Sequence, residues 1–290
     1  MPLSDILRLS REVIPGRGTP HIEPLRAGLT NETFRVVRDE RSYALRLAGS
    51  DPLPLGLDRH WEEQILKAAG ASGLAPALVH SDAARGVLVT RWVVGRTWSE
   101  SQLPKAANLL KIAALMRRVH ALSIPASARI MSPATWIELY QRALSKRGQP
   151  PPDSSLQSKA MVYLERLAEP PTSAHVVCHS DMHRMNLIEA GETLVLLDWE
   201  YAHVAEPLWD LAAWSANNDL NADARQALLV NYWGGAQAAS EAARYRLMLW
   251  LYDYVCLLWS ELYLNLRHDR GNRVAERLRQ LDARLRLPAH

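Results

Sequence analysis

Between Val176 and Glu200 the chain alternates short apolar runs with dense polar segments, and no other stretch limits its possible folds so strongly. Val176-Val177-Cys178 precedes His179-Ser180-Asp181-Met182-His183-Arg184-Met185-Asn186. Leu187-Ile188 and Leu194 to Leu197 follow, and Asp198-Trp199-Glu200 closes the series. Short apolar runs bounded by turn residues read as buried strands. The polar residues then sit on the edge of a strand-loop-strand unit, where one folded loop can bring them together. An Asp on such a loop can accept a hydroxyl proton, an Asn five residues on can hold a metal ion, and an Asp closing the next strand can hold the same ion. Each of Asp181, Asn186 and Asp198 is an ordinary turn residue by itself, because Asp and Asn hydrogen-bond their own backbone. All three at this spacing point to phosphoryl transfer. A zinc site is the competing reading, since His175, Cys178, His179, Asp181 and His183 all offer ligand atoms. No second Cys or His cluster with ligand spacing completes it.

The remaining chemistry is that of an intracellular globular protein. With 290 residues, 48% of them hydrophobic, the chain can build one large or two modest cores. Its two cysteines, Cys178 and Cys256, lie in apolar contexts and imply no disulfide framework, which suits a reducing, cytoplasmic setting. The N-terminus has no signal-peptide core. The most apolar later stretch, Leu247 to Trp259, carries Asp253 and is too short to span a bilayer of ~30 Å, so no membrane partner is expected. A net charge of +3 spread along the chain does not call for nucleic acid. The sequence sets no oligomeric state.

Strand-like runs come first and helical periodicity afterwards. Thr33 to Arg38 and Ser42 to Leu47 flank the hairpin signal Asp39-Glu40-Arg41. Gly28-Leu29-Thr30-Asn31 precedes them, a small polar segment whose backbone N–H groups can approach phosphates. Strand alternation puts Arg46 on the face opposite Tyr43, Leu45 and Leu47, a placement that suits a cation over nucleotide phosphates. Gly86 to Gly95 reads as a buried strand running into a linker. Leu109, Ile112, Met116 and Val119 recur at helical spacing, which predicts an amphipathic helix over 105–122 with His120 in a structural role. Ten Trp and nine Tyr stand against a single Phe, and several crowd one C-terminal helix. There Trp250, Asp253, Tyr254, Leu257 and Glu261 form one stripe, with Tyr252, Trp259 and Tyr263 beside it. Aromatic faces with carboxylates are what a cationic headgroup needs, although such stripes are more often plain core.

His-x-Asp-x-x-x-x-Asn with a following Asp resembles the catalytic signature of the aminoglycoside phosphotransferase and choline kinase superfamily, distant relatives of protein kinases. Asp198-Trp199-Glu200 resembles the choline/ethanolamine and thiamine kinase branch. The likeness runs from Gly28 to about Asp210. Gly28-Leu29-Thr30-Asn31 is similar to the Gly-(Met/Leu)-(Ser/Thr)-Asn loop of choline kinases, and Asp58-Arg59-His60-Trp61-Glu62 to their Asn-Arg-x-x-Glu. Two departures stand out. Arg46 occupies the position where protein kinases use Lys, and Cys256-Leu257-Leu258-Trp259-Ser260 replaces the Trp-x-x-Trp-Ser of choline kinases. Trp259-Ser260-Glu261 also resembles the Trp-x-Glu of bacterial thiamine kinases.

The resemblance implies an α+β, two-lobed protein-kinase-like fold. A small N-terminal nucleotide-binding lobe with an antiparallel sheet would span 1–94, and a larger, mainly helical catalytic and acceptor-binding lobe 95–290. It implies ATP and Mg²⁺, with Asp181 as catalytic base, His179 bracing the loop, and Asn186 and Asp198 as metal ligands. Gly28, Thr30, Asn31 and Arg46 would hold the nucleotide. Glu62, or its neighbour Glu63, would pair with Arg46. Asp210 would hold backbone N–H groups of the Asp181 loop or merely cap its own helix. Glu200, Trp250, Asp253, Tyr254, Trp259 and Glu261 are the candidates for contacting the hydroxyl acceptor. The implied activity moves the γ-phosphate of ATP to a small cationic alcohol, as in choline/ethanolamine kinases. The alternatives are a thiamine kinase, an aminoglycoside or amino-sugar phosphotransferase, and a non-catalytic nucleotide-binding relative.

Overall fold

The computed structural model describes residues 2–25, 30–49, 55–125, 128–149, 153–168, 173–266 and 271–287. Gly28 and Leu29 of the expected phosphate loop lie outside them. In chain order the first elements are α1 (Leu3–Val13), β1 (His21–Leu25), β2 (Asn31–Arg38), β3 (Arg41–Ala48), α2 (Arg59–Ala71), β4 (Leu78–Asp82) and β5 (Val87–Arg91). Next come α3 (Ala106–His120), α4 (Pro133–Ser145), α5 (Ser154–Arg166), β6 (Val176–Cys178), β7 (Leu187–Ala190), β8 (Thr193–Leu196) and β9 (His203–Ala205). The chain ends in α6 (Leu208–Asn217), α7 (Ala222–Trp233), α8 (Gly235–Leu266) and α9 (Gly271–Arg286).

An antiparallel sheet of order β1-β2-β3-β5-β4 is followed by a mainly helical region, the order of classes expected from sequence. The β2–β3 hairpin turns at Asp39 and Glu40, both with positive φ (48° and 62°). Two left-handed residues match the right-handed twist of the flanking strands, and Arg38 then pairs with Arg41. The period-2 pattern buries Phe34 and Val36 from β2 and Tyr43, Leu45 and Leu47 from β3 against Ile6, Leu9 and Val13 of α1. Arg46 stands on the other face, as alternation requires.

The chain forms two compact units. One comprises Met1–Leu53, Leu57–Thr97 and Leu187–Glu200, the other Pro54–Gly56, Trp98–Asn186 and Tyr201–His290. The sequence reading cuts the chain once, after residue 94, whereas these units are interleaved. The physical reason is backbone pairing. The β7–β8 hairpin joins the first unit through Arg96 N to Glu189 O (3.1 Å), Glu189 N to Arg96 O (2.8 Å) and Leu196 N to Leu74 O (2.8 Å). Gly95 makes this approach possible, since a Cβ there would collide with the Glu189 carbonyl.

In the second unit β6 pairs antiparallel with β9, and α8 packs against α4, α6, α7 and α9. The apolar run at Leu247 to Trp259 belongs to α8, a helix of 32 residues that is long and apolar enough to cross a membrane by length and composition. That corrects the expectation of a segment too short to span. Some 67% of its most apolar window is buried inside the protein, so tertiary burial accounts for its character.

Candidate active site

Two clusters collect the sequence-predicted residues, one in each unit. In the first unit, Asp58 caps α2 by accepting from His60 N (3.1 Å) and Trp61 N (3.0 Å). That start places Arg59 and Glu62 three residues apart on one helix face. Arg46 donates to Glu62 Oε1 (2.5 Å) and to Asp198 Oδ1 (2.8 Å). Arg59 donates to Glu62 Oε2 (2.9 Å), Glu200 Oε2 (2.8 Å) and Asn31 Oδ1 (3.2 Å). The partner of Arg46 is thus Glu62, while Glu63 pairs with Lys67 (2.5 Å). Burial opposes the charge of Arg46, but Glu62, Asp198 and Glu200 outweigh it and raise its pKa; Arg59 is raised likewise, chiefly by Glu200 against burial. Asp198 keeps 34% of its side chain exposed, against 3% for Glu62 and Glu200.

Glu200, expected from sequence to contact the acceptor, is buried among donors of the first unit. Its carboxylate accepts from Thr30 Oγ1 (2.7 Å), Asn31 Nδ2 (2.8 Å) and Arg59. Burial works against its charge, yet Arg46, Arg59 and Asn31 hold it below the ordinary carboxylate value.

In the second unit a loop leaves β6 at Cys178 and ends in a short 3₁₀ turn, Arg184–Asn186. Asp210, fully buried on α6, accepts from His179 N (2.9 Å) and Ser180 N (2.7 Å). Of the two readings left open by the sequence, these bonds to the loop are the ones the carboxylate makes, and α6 has no side-chain cap. His120 lies 3.1 Å from the same carboxylate through Nε2, and 2.7 Å from the Tyr232 hydroxyl through Nδ1. Tyr252 donates to Ser180 O (3.2 Å) and accepts from Asn217 Nδ2 (2.8 Å). These contacts support a strained backbone at Ser180, which has φ 71°; in the other cluster Asp198 has φ 57°.

On that frame Asp181 accepts through Oδ2 from Asn186 Nδ2 (3.0 Å), and the same amide nitrogen donates to Asp181 O (3.0 Å). Turning the amide over would set its oxygen against two others, so Oδ1 is the atom Asn186 has available to a cation. His183 Nε2 is 3.5 Å from Asp181 Oδ2, and the buried His179 accepts from Asp181 N through Nδ1 (3.3 Å). Burial raises the Asp181 pKa, but His183, His179 and Asn186 outweigh it, so the carboxylate stays ionised below its usual range. With 33% of the side chain exposed, it is an ionised base with access to solvent.

The zinc reading gains nothing from this geometry. His175 is exposed. Among the described residues the one triple within mutual ligand reach is His120, Cys178 and Asp210, all buried. His120 is engaged on both ring nitrogens and Asp210 by two amides. Burial pushes the Cys178 thiol well up.

Of the acceptor candidates on α8, Trp250, Asp253 and Tyr254 are buried. Trp250 donates to Leu285 O (3.1 Å), stacks on Tyr254 at 5.5 Å and has Lys159 Nζ 4.9 Å from its ring. Tyr254 is fully buried. Asp253 is buried in an ion pair with Arg284, and burial still raises its pKa despite that partner. Trp259 and Glu261 are half-buried. Trp259 donates to the Tyr201 hydroxyl (2.6 Å) and stacks on Tyr263 at 5.0 Å, and burial lifts Glu261 to about 7. Sequence reasoning left Arg59, Tyr252 and Asn217 without roles. Arg59 carried a signal in its spacing to Glu62 and Tyr252 in its aromatic stripe, while Asn217 carried none.

The chain matches the model of the phosphotransferase enzyme family (APH) over residues 21–250. No curated protein matches it. It is similar to a choline/ethanolamine kinase family protein from Mesorhizobium loti, with 26% identity and a TM-score of 0.79 over 99% of this chain and 96% of that one. The choline kinase LicA from Streptococcus pneumoniae shares 20% identity and a TM-score of 0.80, over 97% of this chain and 98% of that one. A spectinomycin phosphotransferase, APH(9)-Ia, solved with ADP and spectinomycin, shares 15% identity and a TM-score of 0.64, over 100% of this chain and 96% of that one. The last two likenesses speak for the fold alone, which is of the expected protein-kinase-like α+β class.

Proposed function

The chain belongs to the phosphotransferase enzyme family, and from that premise we propose that it moves the γ-phosphoryl group of ATP to the hydroxyl of a small cationic alcohol, as a choline or ethanolamine kinase does. The observation that carries this reading is Asp181, ionised, part-exposed, oriented by Asn186, and set on a loop whose amides Asp210 holds. Asp181 orients the acceptor hydroxyl and takes its proton as the oxygen attacks. Arg46, kept in place by Glu62, supplies positive charge to the phosphates, and Thr30 and Asn31 belong to the segment that approaches them. Phosphoryl transfer asks little covalent chemistry of the protein, so positioning and charge do most of the work.

The proposed metal ligands fit Mg²⁺. The Asn186 Oδ1 atom and the Asp198 carboxylate are hard oxygen donors of the kind it takes, and Asp198 already pairs with a cation in Arg46. Bound Mg²⁺ would neutralise charge building on the phosphate oxygens. For the acceptor, Trp259 and Glu261 are the remaining candidates, an aromatic face and a carboxylate suited to an ammonium group. ATP chemistry and two free cysteines suit the cytoplasm.

An ADP-release assay tests the proposal with choline, ethanolamine, thiamine, amino sugars and aminoglycosides offered separately. Acceptor-dependent release is expected to be fastest with choline or ethanolamine. Release confined to thiamine, or to the amino sugars and aminoglycosides, moves the assignment to those alternatives. Nucleotide binding with no acceptor-dependent release identifies a non-catalytic relative.

A further inference from the structure

Glu200 sits where three separate segments of the first unit meet. Its Oε1 accepts from Thr30 Oγ1 at 2.7 Å, and its Oε2 from Asn31 Nδ2 and Arg59 Nη1, each at 2.8 Å. Arg46 Nη1 lies 3.8 Å from the same Oε2. Only 3% of the side chain reaches solvent. A carboxylate so buried and engaged is not presented to an acceptor, and moving it would leave Arg59 with Glu62 as its one carboxylate partner among the described residues. What it does hold is the entry to β2. Thr30 is pinned from one side by Gly49 N donating to its carbonyl (3.1 Å) and from the other by Glu200 on its hydroxyl. Asn31 opens β2 in register with Ala48 and gives its amide to Glu200. The far end of the link is the turn that carries Asp198, two residues before Glu200, whose own carboxylate is held by Arg46.

We infer that Glu200 is a positioning residue for the nucleotide and not an acceptor ligand: its buried carboxylate ties the Thr30–Asn31 segment to the turn bearing Asp198. The inference rests on the kinase reading above, in which Thr30, Asn31 and Asp198 serve ATP. The tie orders the phosphate-binding segment before nucleotide arrives, so the ordering cost is met in folding rather than in binding. Buried hydrogen bonds to a charged acceptor are the strong kind, which makes Glu200 a stiff link.

The test separates nucleotide affinity from acceptor KM. Calorimetry with a non-hydrolysable ATP analogue reads the first, and steady-state kinetics the second. Glu200→Gln is expected to weaken analogue binding by about tenfold, the usual worth of a charged hydrogen bond, with the acceptor KM within about twofold of wild type. Thr30→Val tests the other end of the link while leaving both arginines paired, and is expected to show the same nucleotide-selective loss. The double variant is expected to be little worse than the weaker single variant, because both cut one link. A rise in acceptor KM with unchanged analogue affinity in Glu200→Gln overturns the inference, as does full analogue affinity in Thr30→Val. Wild-type protein that fails to bind the analogue overturns the kinase reading as well, whereas wild-type binding that both variants retain overturns this inference alone.

Discussion

Asp181 and Glu261 are carboxylates whose surroundings drive them in opposite directions. Asp181 is part-exposed and held by Asn186 at 3.0 Å, with two histidines keeping it ionised. An amide at this position keeps the shape and loses the base. Asp181→Asn is therefore expected to lower kcat by about 10²–10⁴-fold while nucleotide affinity stays within about twofold, read by steady-state kinetics and calorimetry on one preparation. Retained turnover within about tenfold would remove Asp181 from the mechanism. Glu261 has its pKa raised by burial from 4.5 to about 7, with Asp282 adding to the rise. Between those values the folded chain holds a proton that the unfolded chain has released, so stability falls as pH climbs through that window. Glu261→Gln removes this loss. The gap in melting temperature between pH 5 and pH 8 is expected to narrow by about 2–4 °C, which is ~1 kcal/mol in a chain of this size. An unchanged gap would mean that Glu261 ionises freely in the folded protein.

Along α8, residues with similar side chains fall into different roles according to what packs over each face. Trp250 is covered by Tyr163, Tyr254 and Lys159, and its indole N–H is spent on Leu285 O. Trp250→Ala is expected to cost about 3–5 kcal/mol in a denaturant titration, as large aromatic truncations in a core do, with the acceptor KM unmoved. Trp259, half-buried and bonded to Tyr201, is the one ring on this helix still proposed for the acceptor. Trp259→Leu is expected to raise the KM of a charged acceptor by the ~0.5–2 kcal/mol of a cation–π contact, with the melting temperature almost unchanged. A sharp fall in melting temperature without a KM effect would make Trp259 core like Trp250.

At the scale of the whole molecule, ligand binding and stability are linked by mass action, which gives a reading of the nucleotide site independent of turnover. An ATP analogue with Mg²⁺ at about a hundred times its Kd is expected to stabilise the protein by ~2.7 kcal/mol. Asp198→Ala is expected to abolish the part of that gain that depends on Mg²⁺, followed by thermal melts with and without the ion. If the variant keeps the Mg²⁺-dependent gain, Asp198 is not a ligand. The variant also frees Arg46 of one partner, but Glu62 still holds the guanidinium at 2.5 Å, so the fold is expected to survive.

What the sequence determined by itself is whatever covalent spacing dictates. The interval from Asp181 to Asn186 lets one short loop fold their side chains together, the period of β3 turns Arg46 away from Tyr43, Leu45 and Leu47, and the Asp39–Glu40 turn sets the register of its hairpin. Glu62 was legible from its motif, although its adjacency to Glu63 left the choice to the structure. Tertiary structure decided which surfaces meet. A helical stripe names a face but not what covers it, so Trp250, Asp253 and Tyr254 read more often as core yet keep the cation site open until Lys159, Leu285 and Arg284 are seen to occupy them. Glu200 stands 170 residues from Thr30 and 141 from Arg59. No local pattern encodes such a pairing, because a buried carboxylate takes whichever donors the folded chain brings within reach, and that is settled only when the β7–β8 hairpin joins the first unit.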